Sequence, residues 1–114
     1  MNKRNVGTFY ENVAEKFLVE HGINILERNF RCRIGEIDLI GIDDDTLVFF
    51  EVKYRKNSQY GSPFEAVDYR KQKKIISVAK YYLAYRNMDK FIRFDVIGIF
   101  KNEIEWIRDA FCAY

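Results

Sequence analysis

Two carboxylates lie in neighbouring segments of the sequence that both have the pattern of a β-strand. The segments are GEIDLIGI at residues 35–42 and TLVFFEVKY at residues 46–54, and an acidic stretch separates them. This pattern predicts an antiparallel hairpin. A turn centred on positions 44 and 45 places Asp38 opposite Glu51, with Cβ atoms about 4.5–5.5 Å apart. The two carboxylates repel each other at that distance unless a positive charge lies between them, and a divalent cation would supply that charge.

A lysine belongs to the same polar set. Lys53 follows Glu51 by two positions, so both side chains project from one face of the strand. The same register places Glu36 opposite Lys53. Strand alternation assigns five apolar side chains to the other face: Ile37, Leu39, Val48, Phe50 and Val52. The polar residues of the hairpin are therefore segregated on one side.

This combination of residues suits phosphodiester hydrolysis. Carboxylate oxygens are the ligands that Mg²⁺ and Mn²⁺ prefer, and a cation held by Asp38 and Glu51 would bind a phosphate and activate water. Lys53 would neutralise developing charge on the phosphate or orient the water. The alternative is a solvated strand face with an ordinary ion pair, because Glu-x-Lys is a common sequence. Against that alternative, the apolar Ile40 and Phe49 share this face, which indicates a partly covered surface on which charges need partners.

The first third of the chain is predicted to form a helix and a strand. Thr8 and Glu11 match the capping box T-x-x-E, and apolar residues follow at helical spacing until Gly22. Residues 23–33 alternate loosely between apolar and polar types, as in a strand that enters a hairpin. In this reading Glu11 starts the first helix by accepting a hydrogen bond from the backbone N–H of Thr8.

A second helix is predicted after the hairpin. Ser62, Pro63 and Glu65 form one helix-start signal, and Asp68 is a candidate cap for a renewed start. Apolar residues then recur at helical spacing over 75–83.

Two further strands complete the pattern. Residues 93–100 and 103–107 read as strands joined by a tight turn at Lys101 and Asn102. The order is therefore α-β-β-β-α-β-β, which favours an α/β fold with a central mixed sheet flanked by helices. The length of 114 residues suits one domain that spans residues 1–114.

Composition excludes several classes of protein. A hydrophobic content of 48% rules out a disordered chain. No apolar run approaches the roughly 20 residues that span a bilayer, and the N-terminal segment lacks the apolar core of a signal peptide. We therefore expect a soluble, cytoplasmic protein with no membrane partner. Cys32 and Cys112 are expected to be reduced thiols, and zinc is not expected because neither has a second Cys or a His at ligand spacing.

Basic residues are clustered, although the net charge is only +2. Arg55 follows the polar set of the hairpin, and Arg70, Lys73 and Lys74 are spaced i, i+3 and i+4 along the second helix. Such a stripe tracks the phosphates of a nucleic acid or is an ordinary solvated face, and the sequence leaves both readings open. Tyrosines interleaved with these residues either stack on unpaired bases or cover the edges of the core.

Two short segments resemble the active-site signature of a known nuclease superfamily. G-E-I-D-L-I at residues 35–40 and F-E-V-K-Y-R at residues 50–55 resemble the signature of the PD-(D/E)XK nucleases. Nearly the whole chain is similar to the small bacterial YraN-like family of predicted endonucleases, which is related to archaeal Holliday-junction resolvases. The resemblance implies a restriction-endonuclease-like fold. Ile37 stands where the superfamily has proline, a substitution that the YraN-like family tolerates.

The resemblance also assigns roles to individual residues. Asp38 and Glu51 match the two catalytic acids, and Lys53 matches the catalytic lysine. Glu11 matches an additional acid of resolvase-like proteins, which would make it a third metal ligand. This role is incompatible with the capping role, and we favour it on the strength of the resemblance. Gln72 falls where the pattern continues into the second helix, and we group it with the candidate nucleic-acid-binding residues.

These matches imply an endonuclease that depends on Mg²⁺ or Mn²⁺ and acts on DNA. Branched or damaged DNA is the candidate substrate, and a homodimer is one option for the assembly. The alternative is a non-catalytic nucleic-acid-binding module that has the same fold and uses the basic stripe to recruit DNA or RNA.

Overall fold

Five β-strands and two α-helices make up the protein. The computed structural model describes residues 3–55 and 67–113, with side chains from residue 6 onward in the first range. In chain order the elements are α1 (Lys3–Glu20), β1 (Asn24–Arg31), β2 (Glu36–Asp43), β3 (Thr46–Arg55), α2 (Tyr69–Arg86), β4 (Phe91–Phe100) and β5 (Glu103–Phe111). The predicted α/β class and the predicted order α-β-β-β-α-β-β are confirmed.

The strands form one sheet in the order β1-β2-β3-β4-β5. Neighbouring strands are antiparallel except β3 and β4, which run parallel from the pair Thr46 and Phe91 to the pair Arg55 and Phe100. A parallel pair needs a crossover connection, and α2 lies within that connection. The mixed character of the sheet follows from this one crossover.

The two helices cover opposite faces of the sheet. Val48 and Phe50 of β3 pack in the cluster that includes Ala14 and Leu18 of α1. Leu47 and Phe49, which alternate with them along the strand, pack in the cluster formed with α2. The helix α2 contributes four buried residues to that cluster: Ile75, Val78, Ala79 and Tyr82. Because both faces are covered, a charge in the centre of the sheet needs specific partners.

The first helix begins earlier than the sequence predicts. Thr8, the predicted N-cap, lies inside α1 (Lys3–Glu20), so the capping-box prediction for Thr8 and Glu11 is wrong. The motif misleads because the helical pattern continues on its N-terminal side. The predicted end is confirmed: Gly22 has a positive φ of 91°, and the backbone N–H of Ile23 donates to the carbonyl oxygen of Leu18 at 3.0 Å.

The second helix begins at the cap nearest to its apolar stripe. Asp68 is the N-cap of α2, and its Oδ1 accepts a hydrogen bond from the backbone N–H of Lys71 at 2.8 Å. The other predicted start, at Ser62, Pro63 and Glu65, lies outside the described residues. The strand β5 continues to Phe111, beyond its predicted end at residue 107.

A buried carboxylate joins β4 to β5. Asp95 has no exposed surface, and its two oxygens accept four hydrogen bonds, each at 2.9 Å. Two come from the guanidinium of Arg93, one from the indole N–H of Trp106 and one from the backbone N–H of Asp109. Arg93 also donates to Asp43 at 3.0 Å. We call this set the Asp95 network.

The two cysteines are not bonded to each other, and the histidine lies next to α1. Cys32 is half-buried and Cys112 is exposed, and both are free, as predicted. His21 lies just after α1, where its Nδ1 is 2.7 Å from the carbonyl oxygen of Phe17. Among the described residues, no helix has the length and hydropathy needed to cross a membrane.

Candidate active site

The hairpin of β2 and β3 has the predicted register over its paired length. Leu39 is opposite Phe50, and the pairing of the two strands ends there. One residue further, a side chain replaces the backbone ladder: Oδ2 of Asp38 accepts a hydrogen bond from the backbone N–H of Val52 at 2.8 Å. Asp38 and Glu51 therefore lie where the two strands stop pairing.

Side-chain alternation along β2 breaks next to Asp38. Ile37, predicted to project from the face opposite the charges, packs in the same cluster as Ile40 and Phe49. That prediction is wrong because strict alternation assumes that β2 stays beside β3, whereas the pairing ends at Leu39. An apolar side chain consequently lies on the α2 side of the sheet directly beside the acids.

Two lysines converge on the carboxylate of Glu51. The Glu51 side chain is only 8% exposed, and its Oε1 lies 3.0 Å from Nζ of Lys71 and 3.8 Å from Nζ of Lys53. Lys53 comes from the same strand, whereas Lys71 comes from the first turn of α2. We call Asp38, Glu51, Lys53 and Lys71 the Asp38–Glu51 cluster.

The members of this cluster shift one another's protonation. Burial, with the charge of Glu51 beside it, raises the pKa of Asp38 from 3.8 to about 8. Burial, together with the hydrogen bond and charge of Lys71, lowers the pKa of Lys53. Burial also disfavours the charged form of Lys71, but the attraction of Glu51 prevails and the pKa of Lys71 is raised. At neutral pH, Asp38 therefore retains a proton that a cation would displace.

Glu36 does not face Lys53 as predicted. It is opposite Arg31 of β1, and its Oε2 lies 2.8 Å from Nε of Arg31, with both side chains more than half exposed. The prediction is wrong because β2 remains paired with β1 at this point after it has left β3. Glu36 nevertheless lines the same cavity as Asp38.

Glu11 points from α1 towards β1. Its Oε1 accepts a hydrogen bond from Nδ2 of Asn29 at 3.0 Å and lies 3.8 Å from Nη2 of Arg28. Its negative charge is one of the causes that raise the pKa of Asp38, so the two carboxylates are electrostatically coupled. The helix-start role is excluded by the bounds of α1, whereas the metal-binding role remains a prediction.

The basic stripe predicted on α2 is divided between two sides of the helix. Lys74 lines the cavity that contains Asp38 and Glu51. Lys73 lies on another side, with its Nζ 4.9 Å from the centroid of the Tyr69 ring. The two lysines therefore cannot follow one phosphate backbone along a single helix face.

The other candidate nucleic-acid-binding residues have different surroundings. Gln72 folds back on the start of its own helix, where its Nε2 donates to the carbonyl oxygen of Val67 at 3.0 Å. Arg70 is exposed. Arg55 is half-buried, and its Nη2 is a buried atom that has no hydrogen-bond partner among the described residues. Only Lys74 of the predicted set lines the cavity over the acids.

Lys71 is the site residue that sequence reasoning missed. The predicted stripe of Arg70, Lys73 and Lys74 leaves out Lys71, although Lys71 belongs to the same run of basic residues. It precedes Lys74, Ile75 and Val78 by three, four and seven positions, so it continues the buried stripe of α2 towards the N-terminus. A lysine in line with an apolar stripe is the signal that would have identified it.

A cavity of about 340 Å³ opens over the two carboxylates. It is lined by Gly35, Glu36, Asp38, Glu51, Val52, Lys71, Lys74 and Ile75. Two carboxylates fit a hard divalent cation, because Mg²⁺ is commonly held by one or two carboxylates and keeps several waters. Burial and the charge of Glu51 raise the pKa of Asp38, so a cation at this position would stabilise its charged form. Within residues 3–55 and 67–113, no group of three acidic, His or Cys side chains is arranged to hold a metal, so Glu11 is not gathered with the other two acids.

The sequence is similar to those of a protein family. The family model described as "Uncharacterised protein family UPF0102" matches residues 10–99, which include every residue of the Asp38–Glu51 cluster. A UPF0102 protein of Caldicellulosiruptor bescii is 50% identical over 119 residues, covering 97% of this chain and 100% of the relative. The UPF0102 protein of Lachnoclostridium phytofermentans is 46% identical, covering 100% of this chain and 98% of the relative. That of Psychromonas ingrahamii is 48% identical, covering 92% and 88%. The chain therefore belongs to the UPF0102 family.

Proposed function

We propose that this protein is an endonuclease that depends on Mg²⁺ or Mn²⁺ and hydrolyses phosphodiester bonds in DNA. The observation that carries the proposal is the Asp38–Glu51 cluster, in which two carboxylates and the ammonium group of Lys71 line one open cavity and Lys53 approaches Glu51 at 3.8 Å. A cluster that only stabilises the fold would satisfy its charges internally. Here burial and the neighbouring charge of Glu51 raise the pKa of Asp38 to about 8, so its charged form is poorly stabilised.

Each member of the cluster has a role in this proposal. Asp38 and Glu51 would hold the cation, which would polarise the phosphate and lower the pKa of a water molecule. Lys53 and Lys71, whose ammonium groups approach Glu51, would donate hydrogen bonds to the phosphate oxygens, where negative charge develops during the reaction. Glu11, which accepts a hydrogen bond from Asn29 in the structure, would be a third carboxylate ligand.

The resemblance to known nucleases supports the same assignment. Residues 35–40 and 50–55 carry the acids and the lysine of the PD-(D/E)XK signature and lie on β2 and β3, the strands that border the cavity. The likeness to YraN-like proteins and to Holliday-junction resolvases makes branched or damaged DNA the candidate substrate. Arg55, Arg70 and Lys74 provide further positive charge for the DNA backbone.

A cleavage assay on the full chain tests the proposal. Branched, duplex and single-stranded DNA are incubated with the protein and Mg²⁺ or Mn²⁺, and a parallel reaction contains EDTA. Cleavage should require the metal and fall about a hundredfold or more in Asp38→Asn, Glu51→Gln and Lys53→Ala. Asp45→Asn is the matched control, because Asp45 is an exposed acid at the far end of the same hairpin.

Two results would overturn the assignment. Undiminished cleavage by Asp38→Asn and Glu51→Gln, with folding verified by circular dichroism, would show that the reaction occurs elsewhere. Binding of DNA by the wild-type protein without cleavage under any metal would favour the non-catalytic nucleic-acid-binding module instead.

A further inference from the structure

Two exposed tyrosines and a half-buried phenylalanine lie together beside the proposed site. Tyr81 and Tyr85 of α2 are 48% and 66% exposed, and their rings are parallel within 9° at a centroid distance of 6.3 Å. The ring of Phe30, on the edge strand β1, lies 6.2 Å from each of them. The ring of the buried Tyr82 packs edge-to-face against that of Phe30, with a centroid distance of 4.9 Å. We call Phe30, Tyr81 and Tyr85 the tyrosine ledge.

The ledge is continuous with the Asp38–Glu51 cluster. Tyr81 and Tyr85 follow Lys74 by seven and eleven positions, so the three share one face of the helix. The distance along the helix axis from Lys74 to Tyr85 is about 16 Å, which a few nucleotides of single strand can span. Phe30 is opposite Ile37, the residue that precedes Asp38.

Two ion pairs and a lysine lie around the ledge. Glu27 lies 2.9 Å from Arg86, and Glu36 lies 2.8 Å from Arg31, so the charges within each pair offset each other. Lys74 remains exposed at the end of the ledge nearest the cavity. A polyanion that follows this surface therefore meets positive charge at the cavity and apolar rings beyond it.

Two kinds of occupant would cover exposed aromatic rings. A second copy of the chain would bring the same surface against itself in a twofold interface, which would add a second Lys74 to the same contact area. A nucleic-acid strand instead presents phosphates to Lys74 and flat bases to the rings. The position of Lys74 between the cavity and the rings favours the nucleic acid.

We infer that the tyrosine ledge stacks unpaired bases of the DNA strand whose phosphate enters the Asp38–Glu51 cavity. The substrate class is then DNA with unpaired nucleotides next to the cleaved bond, because bases within a duplex do not expose their flat faces to side chains. This inference rests on the proposed function and specifies its substrate. Phosphates of the same strand contact Lys74 and Lys71.

A binding experiment in EDTA tests the ledge without requiring cleavage. The double variant Tyr81→Ala/Tyr85→Ala should bind an oligonucleotide with an unpaired tract about tenfold or more weaker than the wild type, because each stacked base is lost from its ring. Binding of a fully paired duplex should change less than about twofold, since it depends on the basic groups. The variant Tyr81→Phe/Tyr85→Phe keeps both rings and should bind as the wild type does.

Tyr69→Ala is the matched control. Tyr69 is 69% exposed on the same helix, but it lies on the side that faces Lys73, so its loss should leave binding unchanged. A second measurement avoids variants altogether. Irradiation of the wild-type protein with an oligonucleotide that carries 5-iodouracil in its unpaired tract should crosslink the peptide that contains Tyr81 and Tyr85.

The possible outcomes separate this inference from the proposed function. Three results would overturn the inference that the tyrosine ledge stacks unpaired bases. They are an equal loss of binding to duplex and unpaired DNA, a crosslink to another peptide, and a double variant that changes only the oligomeric state. If the protein does not cleave DNA but the double variant still binds the unpaired tract more weakly, the nuclease assignment is overturned and base stacking on the tyrosine ledge is supported. If the protein cleaves DNA but the double variant binds like the wild type, the nuclease assignment stands and base stacking on the ledge is overturned.

Discussion

The sheet carries two clusters of buried charge, and they differ in how completely their charges are satisfied. In the Asp95 network, four donors at 2.9 Å surround a carboxylate with no exposed surface. In the Asp38–Glu51 cluster, the carboxylate of Asp38 accepts one described hydrogen bond, from the backbone N–H of Val52, and its pKa is raised to about 8. Both clusters include carboxylates and cations, so composition alone does not distinguish them.

The difference lies in where the cations point. The guanidinium of Arg93 meets both oxygens of Asp95, which offsets the desolvation of the ion pair. Both lysines of the other cluster instead approach Glu51, and within residues 3–55 and 67–113 Asp38 has no ion pair. The Asp95 network is thus complete without a ligand, whereas the Asp38–Glu51 cluster has room and charge for one. This contrast, and not the number of charges, marks the candidate site.

The largest expected effect concerns the stability contributed by the Asp95 network. Asp95→Ala leaves the largely buried Arg93 without its bidentate partner and should cost about 3–5 kcal/mol, measured by urea unfolding. Asp109→Asn is the control and should remain within about 0.5 kcal/mol of wild type, because Asp109 contacts Asp95 through its backbone N–H. If Asp95→Ala lowered the free energy of unfolding by less than about 1 kcal/mol, the Asp95 network would not be better satisfied than the Asp38–Glu51 cluster.

The opposite sign is expected for Asp38→Asn. The folded-state pKa of about 8 lies above the ordinary value of 3.8, so the folded protein holds a proton that the unfolded chain releases between these values. The contribution of this group is therefore complete below about pH 4 and is lost towards pH 8, with a slope of at most about 1.4 kcal/mol per pH unit. Asp38→Asn should remove this slope and be more stable than the wild type at pH 8 without metal.

Urea unfolding in EDTA from pH 5 to pH 8.5 measures the difference between the two proteins, and Asp45→Asn serves as the control that keeps the wild-type slope. Addition of Mg²⁺ at pH 8 should stabilise the wild type more than Asp38→Asn, because binding to the folded state alone shifts the equilibrium. Parallel pH curves for wild type and Asp38→Asn would show that Asp38 is as well satisfied as Asp95.

A smaller loss of stability is expected for Lys71→Ala. Glu51 is 8% exposed and would retain only Lys53, at 3.8 Å, so unfolding at pH 7 should become easier by about 1–2 kcal/mol after allowance for the 41% exposure of Lys71. Lys80→Ala removes an exposed lysine of the same helix and should have no measurable effect. Equal stability of the two variants would mean that Lys71 does not belong to the cluster.

Because Lys73 and Lys74 lie on different sides of α2, their replacement should affect the salt dependence of DNA binding differently. If phosphates approach the open cluster, Lys74→Ala should reduce the slope of log affinity against log salt by about one unit, without any change in sequence preference. Lys73→Ala should leave the slope unchanged, because Lys73 faces Tyr69 on another side of α2. If only Lys73→Ala reduced the salt dependence of DNA binding, the DNA would contact the side of α2 that faces away from the Asp38–Glu51 cluster.

The smallest effect is expected for Glu11→Gln. Glutamine also accepts a hydrogen bond from Asn29, so the melting temperature should stay near that of the wild type. Cleavage should fall, because a neutral amide is a poorer ligand for the cation than a carboxylate. If Glu11→Gln cleaved DNA at the wild-type rate across a Mg²⁺ titration, Glu11 would not be a metal ligand and its role would be its contacts with β1.

The hairpin could be predicted from the sequence because its determinants are local. A short turn and the alternation of apolar residues set the register of β2 and β3, and a shift of one residue would expose the whole apolar set. The placement of Asp38 close to Glu51 follows from that register. The start of α1 could not be read in the same way, because the motif at Thr8 is compatible with the interior of a helix.

The sequence by itself determined the order of the elements, the register of the hairpin and the identity of its two acids and Lys53, since these depend on residues close together in the chain. Only the tertiary structure decided that Ile37 faces α2, that Glu36 pairs with Arg31, and that Lys71 reaches Glu51. These features depend on where β2 leaves β3 and on how the crossover helix packs across the sheet. Both are set by long-range packing, on which local periodicity carries no information.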